Sequence, residues 1–139
     1  MFSSASPVAI INPQYLVGNF VGVTVFRAHL SNGSLAHLLT MNATTEVKVA
    51  PRLHGTVLKA EFRSMKDTFT VVNSSVGEIS TDILGFGIDV MKMSFIIPKL
   101  NEAGEMGFPL PTIEHVRFFN TGVQLENDCV RVFTDVKII

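Results

Sequence analysis

A break rich in glycine and proline, Gly-Phe-Pro-Leu-Pro at residues 107–111, separates two parts of this chain that have different hydrophobic periods. Before the break, apolar residues recur every three or four positions, as in a helix. After it they alternate, as in a strand. Gly107 can adopt the positive φ that closes a helix, and the two prolines beyond it prevent the helix from continuing. The break therefore predicts the end of a long helix and the start of a second group of strands.

The pattern before the break predicts one long helix over residues 79–100. Ser80 or Ser75 is expected to cap its N-terminus, and Pro98 to kink or end its straight part, with a further turn or two over 101–106. Periodicity alone favours a helix that packs on a sheet as core, and the alternative is a helix that forms one wall of a ligand pocket. The apolar face consists of Ile79, Ile83, Phe86, Val90, Met93, Ile97 and Leu100.

Four apolar stretches, in which alternation is the main pattern, precede the helix and predict an antiparallel meander. Asn32-Gly33 predicts a tight hairpin between the first two, because both central positions of a primed turn need positive φ. Pro51 is expected to end the second strand, and a short polar turn to separate the last two. The four stretches cover residues 15–30, 35–50, 53–62 and 65–73, and two further strands are predicted over 116–125 and 130–138. The stretch 35–50 is either one strand or two, with an irregularity near Asn42.

The composition argues against nucleic-acid binding and against a membrane-spanning helix. Apolar residues make up 47% of the chain and charged residues 17%, so apolar surface is available for a core, a ligand or a protein partner. Nucleic-acid binding is not expected, because the net charge is −1 and the lysines and arginines are scattered instead of forming a basic stripe. No uninterrupted run of apolar residues is long enough to predict a membrane-spanning helix.

The residues that carry enzyme and metal chemistry are not arranged for it. The four histidines form no helical pair with a carboxylate base, and the sequence contains no Cys-x-x-Cys and no Gly-x-Ser-x-Gly turn. We therefore predict a non-enzymatic protein with no catalytic residues and no metal site. The single cysteine, Cys129, is expected to be a buried or half-buried thiol, with intermolecular pairing as the alternative.

Three Asn-x-Ser/Thr sequons begin at Asn32, Asn42 and Asn73. Each coincides with a predicted turn or strand end, where a glycan is tolerated. The three asparagines are therefore candidate N-glycosylation sites. Asn32 serves equally well as an ordinary turn residue.

Several motifs together resemble the C-terminal region of one family. Pro98 followed by Lys-Leu-Asn-Glu, then the Gly-Phe-Pro-Leu-Pro break and an alternating strand, is similar to the BPI/LBP family. This family contains the bactericidal/permeability-increasing, lipopolysaccharide-binding and PLUNC proteins. The resemblance extends roughly from Pro13 to the last residues, and its further motifs are Asn32-Gly-Ser-Leu-Ala, Val116-Arg-Phe-Phe-Asn and Val123-Gln-Leu.

The resemblance implies an α+β fold, in which a strongly twisted antiparallel sheet wraps around the long kinked helix. Such a fold is the later part of a tubular lipid-binding barrel, so residues 1–139 would form a single partial domain. The family's N-terminal barrel, with its basic tip and disulfide, has no match here. Met1–Pro7 lacks the basic and long apolar segments of a signal peptide, although members of the family are secreted. We therefore expect the chain to be a fragment, a partial gene model or a short isoform of a secreted protein.

The implied function is the binding of phospholipid or a similar acyl-chain lipid in an apolar tubular pocket, with lipopolysaccharide as a further candidate ligand. The setting would be innate defence or lipid transfer, and the helix face would contact the lipid. A bound phospholipid would take the place of a cofactor, and the missing N-terminal barrel or another protein would be a partner. Gly104, Glu105 and Met106 stand where family members often have larger or basic residues, which disfavours a basic recognition surface. The alternative function is a structural or protein-interaction module with no bound lipid.

Overall fold

The computed structural model describes residues 2–139, which form an antiparallel sheet, one long helix and a separate β-hairpin. The main sheet has the order β1-β3-β4-β5-β6, with β2 also paired to β3, and β7 pairs only with β8. The strands are β1 (Phe2–Ser3), β2 (Val8–Ile11), β3 (Leu16–His29), β4 (Leu35–His54), β5 (Val57–Ser74), β6 (Phe108–Pro109), β7 (Val116–Glu126) and β8 (Cys129–Ile138). The helix consists of α1 (Thr81–Met91), a π-helical turn (Lys92–Ile96) and α2 (Ile97–Met106). The predicted α+β class, with antiparallel strands and one long helix, is confirmed.

Residues 15–73 form three long strands instead of the four predicted. The polar turn expected after Phe62 is a β-bulge inside β5. Phe62 and Ser64 pair with consecutive residues of β4, so Arg63 between them has no partner. An extra residue in one strand moves the following side chains to the opposite face of the sheet. In the sequence this change of phase resembles a strand break, although β5 continues through it.

The tight primed turn predicted at Asn32-Gly33 is wrong. Only Gly33 has positive φ, at 83°. The connection between β3 and β4 is a longer loop, closed by a hydrogen bond of 2.9 Å from the Leu30 N–H to the Ser34 carbonyl. The Asn32 side-chain oxygen accepts a hydrogen bond of 2.9 Å from the Ser34 N–H. The asparagine therefore stabilises the loop with its side chain, as turn asparagines commonly do.

Pro51 does not end its strand, contrary to the prediction. β4 continues to His54, and the chain turns at Gly55, whose φ is 61°. The pairing of β3 with β4 ends at Val49, so β4 has a free edge on that side at Pro51. A proline is tolerated at a sheet edge because its missing N–H interrupts no ladder there.

The helix has the predicted cap and stop, and it continues past Pro98 through the further turns predicted over 101–106. The Ser80 hydroxyl caps α1, accepting a hydrogen bond of 3.4 Å from the Ile83 N–H. Gly107 ends α2 with φ 67° and ψ −175°, which combines positive φ with extended ψ. The π-helical turn lies just before Pro98 and contains a bond from the Ile97 N–H to the Lys92 carbonyl. This wider turn accommodates a proline inside a helix, where a regular α-turn would bring its ring against a carbonyl.

The helix lies along β5, and the space between them narrows toward Gly104. A Cβ on Gly104 would lie 2.0 Å from the Ala60 carbonyl oxygen, whereas a Cβ on Gly85 would lie 3.7 Å from the Phe69 ring. Near the narrow end, the Asn101 side-chain oxygen accepts a hydrogen bond of 2.9 Å from the N–H of a β5 residue. The helix is therefore fixed to the sheet through α2 and stands farther from it at α1.

Little of the described chain is buried. The buried apolar side chains are Leu39, Met41, Ala43 and Val47 of β4, with Leu125 of β7. The turn of the β7–β8 hairpin is joined to β2 by a hydrogen bond of 3.0 Å from the Asp128 N–H to the Ile11 carbonyl. Across residues 2–139, no helix combines the length and apolarity needed to cross a bilayer.

Two predictions about surface residues need correction. Cys129 is exposed, because it begins β8 directly after the hairpin turn, and is not a buried or half-buried thiol. Asn42 lies in the middle of β4 and not at a turn or strand end. Its side chain is exposed, since its neighbours Met41 and Ala43 point to the opposite, buried face. Asn73 is next to the last residue of β5, as predicted for a strand end.

Candidate functional site

A groove of about 880 Å³ separates the helix from one face of the three long strands. The volume is within the range of about 300–1,000 Å³ that is usual for small-molecule sites. Successive side chains of a strand point to opposite faces of a sheet, so every second residue of β4 lines the groove floor. These residues are Met41, Ala43, Thr45, Val47 and Val49.

The wall of the groove is formed by helix residues at intervals of four. In a regular α-helix each step of four residues turns about 40° past a full circle, so such a row gradually leaves the face. The π-helical turn has more residues per turn and offsets this drift. The row Ile88, Lys92, Ile96 and Leu100 is thus kept toward the sheet, and Met91 beside it also lines the groove.

The seven predicted lipid-binding residues do not share this side of the helix. The structure places Leu100 in the groove, and Ile79 and Ile83 beside a smaller depression of about 310 Å³. Phe86 and Met93 are 71% and 69% exposed. Val90 is also exposed, and Ile97 is half-buried without lining either cavity.

The assumption that one face of the helix holds all seven residues is therefore wrong. It extended an α-helical period through the π-helical turn, which shifts the face by one residue. That these seven side chains contact lipid stays a prediction.

A polar cluster interrupts the otherwise apolar groove and consists of Thr45, Asp67, Lys92 and Asp89. Lys92 Nζ lies 2.6 Å from Asp67 Oδ2 and 2.6 Å from Asp89 Oδ1. Thr45 Oγ1 donates a hydrogen bond of 2.5 Å to Asp67 Oδ1. The side chains of Asp67 and Lys92 are each 7% exposed, whereas Asp89 is 65% exposed. The cluster thus contains a buried ion pair between the helix and the sheet.

The pKa of Lys92 is the result of two opposing effects, and it lies above the ordinary value of 10.5. Burial lowers the pKa, because it disfavours the charged ammonium. The contacts and charges of Asp67 and Asp89 raise it and outweigh the burial. Lys92 is therefore a cation, and a hydrogen-bond donor, throughout the physiological pH range.

The raised pKa of Lys92 predicts that the contribution of this residue to the unfolding free energy is lost only at alkaline pH. A group whose pKa is higher in the folded state contributes fully below its unfolded pKa, and loses its contribution as the pH rises through the folded value. We expect the difference in unfolding free energy between the wild-type chain and Lys92→Met/Asp67→Leu to stay constant from neutral pH to about 10 and then to decrease. Urea unfolding at a series of pH values measures this difference. A change centred near neutral pH would contradict it.

The sequence contains signals for the cluster that the analysis of periods missed. Asp67 alternates with Met65 and Phe69, so the strand pattern places a carboxylate on an apolar face. Lys92 lies midway between Ile88 and Ile96, at a spacing of four from each. Each signal is weak by itself, because lone charged residues are common in amphipathic patterns. The two residues meet only when the helix is placed along β5.

Comparisons with known proteins agree with this fold. Residues 1–138 match the family model for the LBP / BPI / CETP family, C-terminal domain. The bactericidal permeability-increasing protein of Sebastes schlegelii is 27% identical over 135 residues, which are 97% of this chain and 28% of that protein. A crystal structure of lipopolysaccharide binding protein has a TM-score of 0.76 at 16% identity, over 96% of this chain and 30% of that one. The chain thus spans less than a third of either relative, and it belongs to the LBP / BPI / CETP family, whose C-terminal domain it matches.

Proposed function

We propose that this chain binds an acyl-chain lipid, phospholipid foremost, in the groove between the helix and the sheet, and that it catalyses no reaction. The observation that carries the proposal is the groove itself, of about 880 Å³ and lined almost entirely by apolar side chains. Membership of the LBP / BPI / CETP family supports a lipid ligand. Burial of apolar ligand surface, at about 25 cal/mol per Å², would provide the main binding free energy.

The incomplete burial of several groove side chains favours a bound ligand over an ordinary core. Val17, Val49 and Phe62 line the groove and are only half-buried, so the protein's own side chains do not fill it. Met65 and Met91 also line it. Methionine is flexible and polarisable, so these side chains can adapt to acyl chains of different shape.

Phospholipid is a better candidate than lipopolysaccharide. The cation that lines the groove within the described residues, Lys92, already faces the carboxylates of Asp67 and Asp89. A lipid with net negative charge, such as lipopolysaccharide, would therefore gain little from it, whereas a zwitterionic phospholipid has no net charge that needs a cation. By analogy with the family, we place the chain in a longer secreted protein of innate defence or lipid transfer, with the N-terminal barrel as a partner.

A protein-interaction module without lipid is the second candidate, and the outer face of the helix favours it. Ile83, Phe86 and Phe95 are 76%, 71% and 68% exposed, and none of the three lines the groove. Exposed apolar patches of this kind mark contacts with other proteins or domains. In this alternative another domain or protein covers the helix, and the groove holds no ligand.

Filling the groove is expected to abolish lipid binding. Ala43→Phe adds a ring to the groove floor, whereas Thr68→Phe adds the same ring to the exposed side of the neighbouring strand β5 and leaves all three sequons intact. After expression in a secreting cell, organic extraction and mass spectrometry should find about one phospholipid per chain in the wild type and Thr68→Phe. They should find at least about tenfold less in Ala43→Phe, since the ring occupies the ligand's space.

Two results would contradict the proposal. One is equal lipid content in both variants, and the other is no lipid in a well-folded, monodisperse wild-type chain. Thr24→Phe repeats the test from β3 if Ala43→Phe does not fold, because Thr24 also lines the groove and is half-buried. Loss of lipid together with intact binding of a partner protein would favour the second candidate.

We also expect N-glycosylation of the secreted chain. Asn32 lies in an exposed loop and Asn73 at the end of β5, while Asn42 is exposed on the outer side of the sheet. Treatment with peptide-N-glycosidase F should lower the mass of the wild type, and Asn32→Gln, Asn42→Gln and Asn73→Gln should each identify one site. A wild-type mass unchanged by the enzyme would exclude glycans on all three asparagines.

A further inference from the structure

The polar cluster lies at the middle of the groove and not at one of its ends. Thr45 is the third of five β4 residues along the floor, and it pairs with Asp67 on β5. The floor from Met41 to Val49 is about 26 Å long at the usual rise of a strand, so Thr45 is about 13 Å from either end. Lys92 likewise has groove-lining helix residues on both sides along the chain.

The cluster divides the floor and wall of the groove into two apolar halves. An acyl chain that occupies the whole groove must therefore pass a buried ion pair. One half is lined by Met41, Ala43, Phe69 and Ile88, and the other by Val47, Val49, Phe62, Ile96 and Leu100.

The hydrogen-bonding capacity of the cluster is not fully used. The Lys92 ammonium has three N–H groups, and two are accounted for by the contacts of 2.6 Å to Asp67 and Asp89. The acceptor for the third is the Met65 carbonyl at 3.4 Å, which is long for a hydrogen bond. A better acceptor that reaches Lys92 through the groove can replace the Met65 carbonyl.

The charges of the cluster determine what kind of acceptor fits. Lys92 is balanced by two carboxylates, so an additional anion would find no excess positive charge. An uncharged carbonyl needs none, and a hydrogen bond from an ammonium is stronger than one from a neutral donor. A purely hydrocarbon chain would cover the ion pair without offering it a partner, which disfavours its binding.

We propose that Lys92, held by Asp67, is a specificity-determining residue that selects lipids with an uncharged carbonyl between two apolar arms. An ester of a long-chain acid and a long-chain alcohol belongs to this class. The inference rests on the proposed function, because it names the ligand chemistry of the same groove.

Two probes of equal length test it. Henicosane is an unbranched alkane, and 11-henicosanone has the same carbon chain with a carbonyl at its centre. The delipidated 139-residue chain is equilibrated with equal amounts of both on cyclodextrin, and the bound compounds are quantified by mass spectrometry. We expect the wild type to enrich the ketone about tenfold or more over the alkane, as a hydrogen bond to a charged donor predicts.

Lys92→Met/Asp67→Leu should lose this preference, because it replaces the ion pair by apolar side chains of similar volume. Lys99→Met is the control, since Lys99 is on the same helix but 80% exposed. It should keep the wild-type ratio. The infrared carbonyl stretch of bound ketone should also lie at lower frequency in the wild type and the control than in the double variant.

Equal uptake of both probes by the wild type would overturn the inference and leave the proposed function standing. A preference for the ketone that persists in the folded double variant would overturn it as well. If neither probe binds the wild type, the inference fails, and the proposed function is decided separately by the phospholipid extraction described above. If the double variant does not fold, the infrared carbonyl stretch of ketone bound to the wild type is compared with that of the ketone in alkane solvent, and an unshifted stretch overturns the inference.

Discussion

Lys92→Met is expected to lower the free energy of unfolding by about 3–5 kcal/mol, which is among the largest effects of any single substitution in this chain. Methionine keeps the length of the side chain but removes its charge. Asp67 then remains with its side chain 7% exposed, and among the described residues Thr45 is the one that still donates a hydrogen bond to it. The loss arises from this uncompensated carboxylate and is measured by urea unfolding followed by circular dichroism.

Adding Asp67→Leu to this variant should restore stability to within about 1 kcal/mol of the wild type, because replacing a whole buried ion pair by apolar residues is often neutral or favourable. Lys99→Met, which removes an exposed ion pair with Glu102, should change the unfolding free energy by less than about 1 kcal/mol. If the double variant is no more stable than Lys92→Met, the ion pair is not the source of the loss.

Gly104→Val should destabilise the chain about as much as Lys92→Met does, lowering the free energy of unfolding by about 3 kcal/mol or more. A Cβ at this position would lie 2.0 Å from the Ala60 carbonyl oxygen, so the helix and the strand would have to separate. The contact joins two backbones, and no change of rotamer relieves it. Urea unfolding measures the loss.

Gly87→Ala is the matched control for the helix glycines. Nothing lies within 4 Å of a Cβ built on Gly87, which is in α1. Alanine is a better helix former than glycine, so this substitution should stabilise the chain by about 0.5–1 kcal/mol. The two substitutions should therefore have opposite signs. A Gly104→Val variant as stable as the wild type would show that the helix can move away from β5 without cost.

Local signals in the sequence predicted the ends of the helix. Ser80 caps α1, and Gly107 closes α2 with positive φ, because caps and stops depend on the residues next to them. Two strands after the break were also predicted. They are close in the sequence and pair with each other as β7 and β8, so their pattern does not depend on the main sheet. These features need no knowledge of distant contacts.

Two of the errors, the extra predicted strand and the single helix face, have a common physical cause, which is one extra residue in a regular element. Arg63 is such a residue in β5, and the π-helical turn inserts one in the helix. Each changes the direction of every side chain that follows. The sequence shows the change of phase but does not say whether it is a turn, a bulge or a wide helical turn. The pairing of Asp67 with Lys92 was missed for a different reason, because it depends on where the helix lies against the sheet.

The contact at Gly104 makes the two ends of the groove different, because it closes the end beside α2. The main chain of α2 touches the main chain of β5 there, whereas α1 stands away from the strand. A molecule that slides along the helix toward Gly104 is stopped by two backbones and not by a side chain. Substitutions along the walls can thus widen or narrow the groove, but the position of its closed end is set by the path of the polypeptide itself.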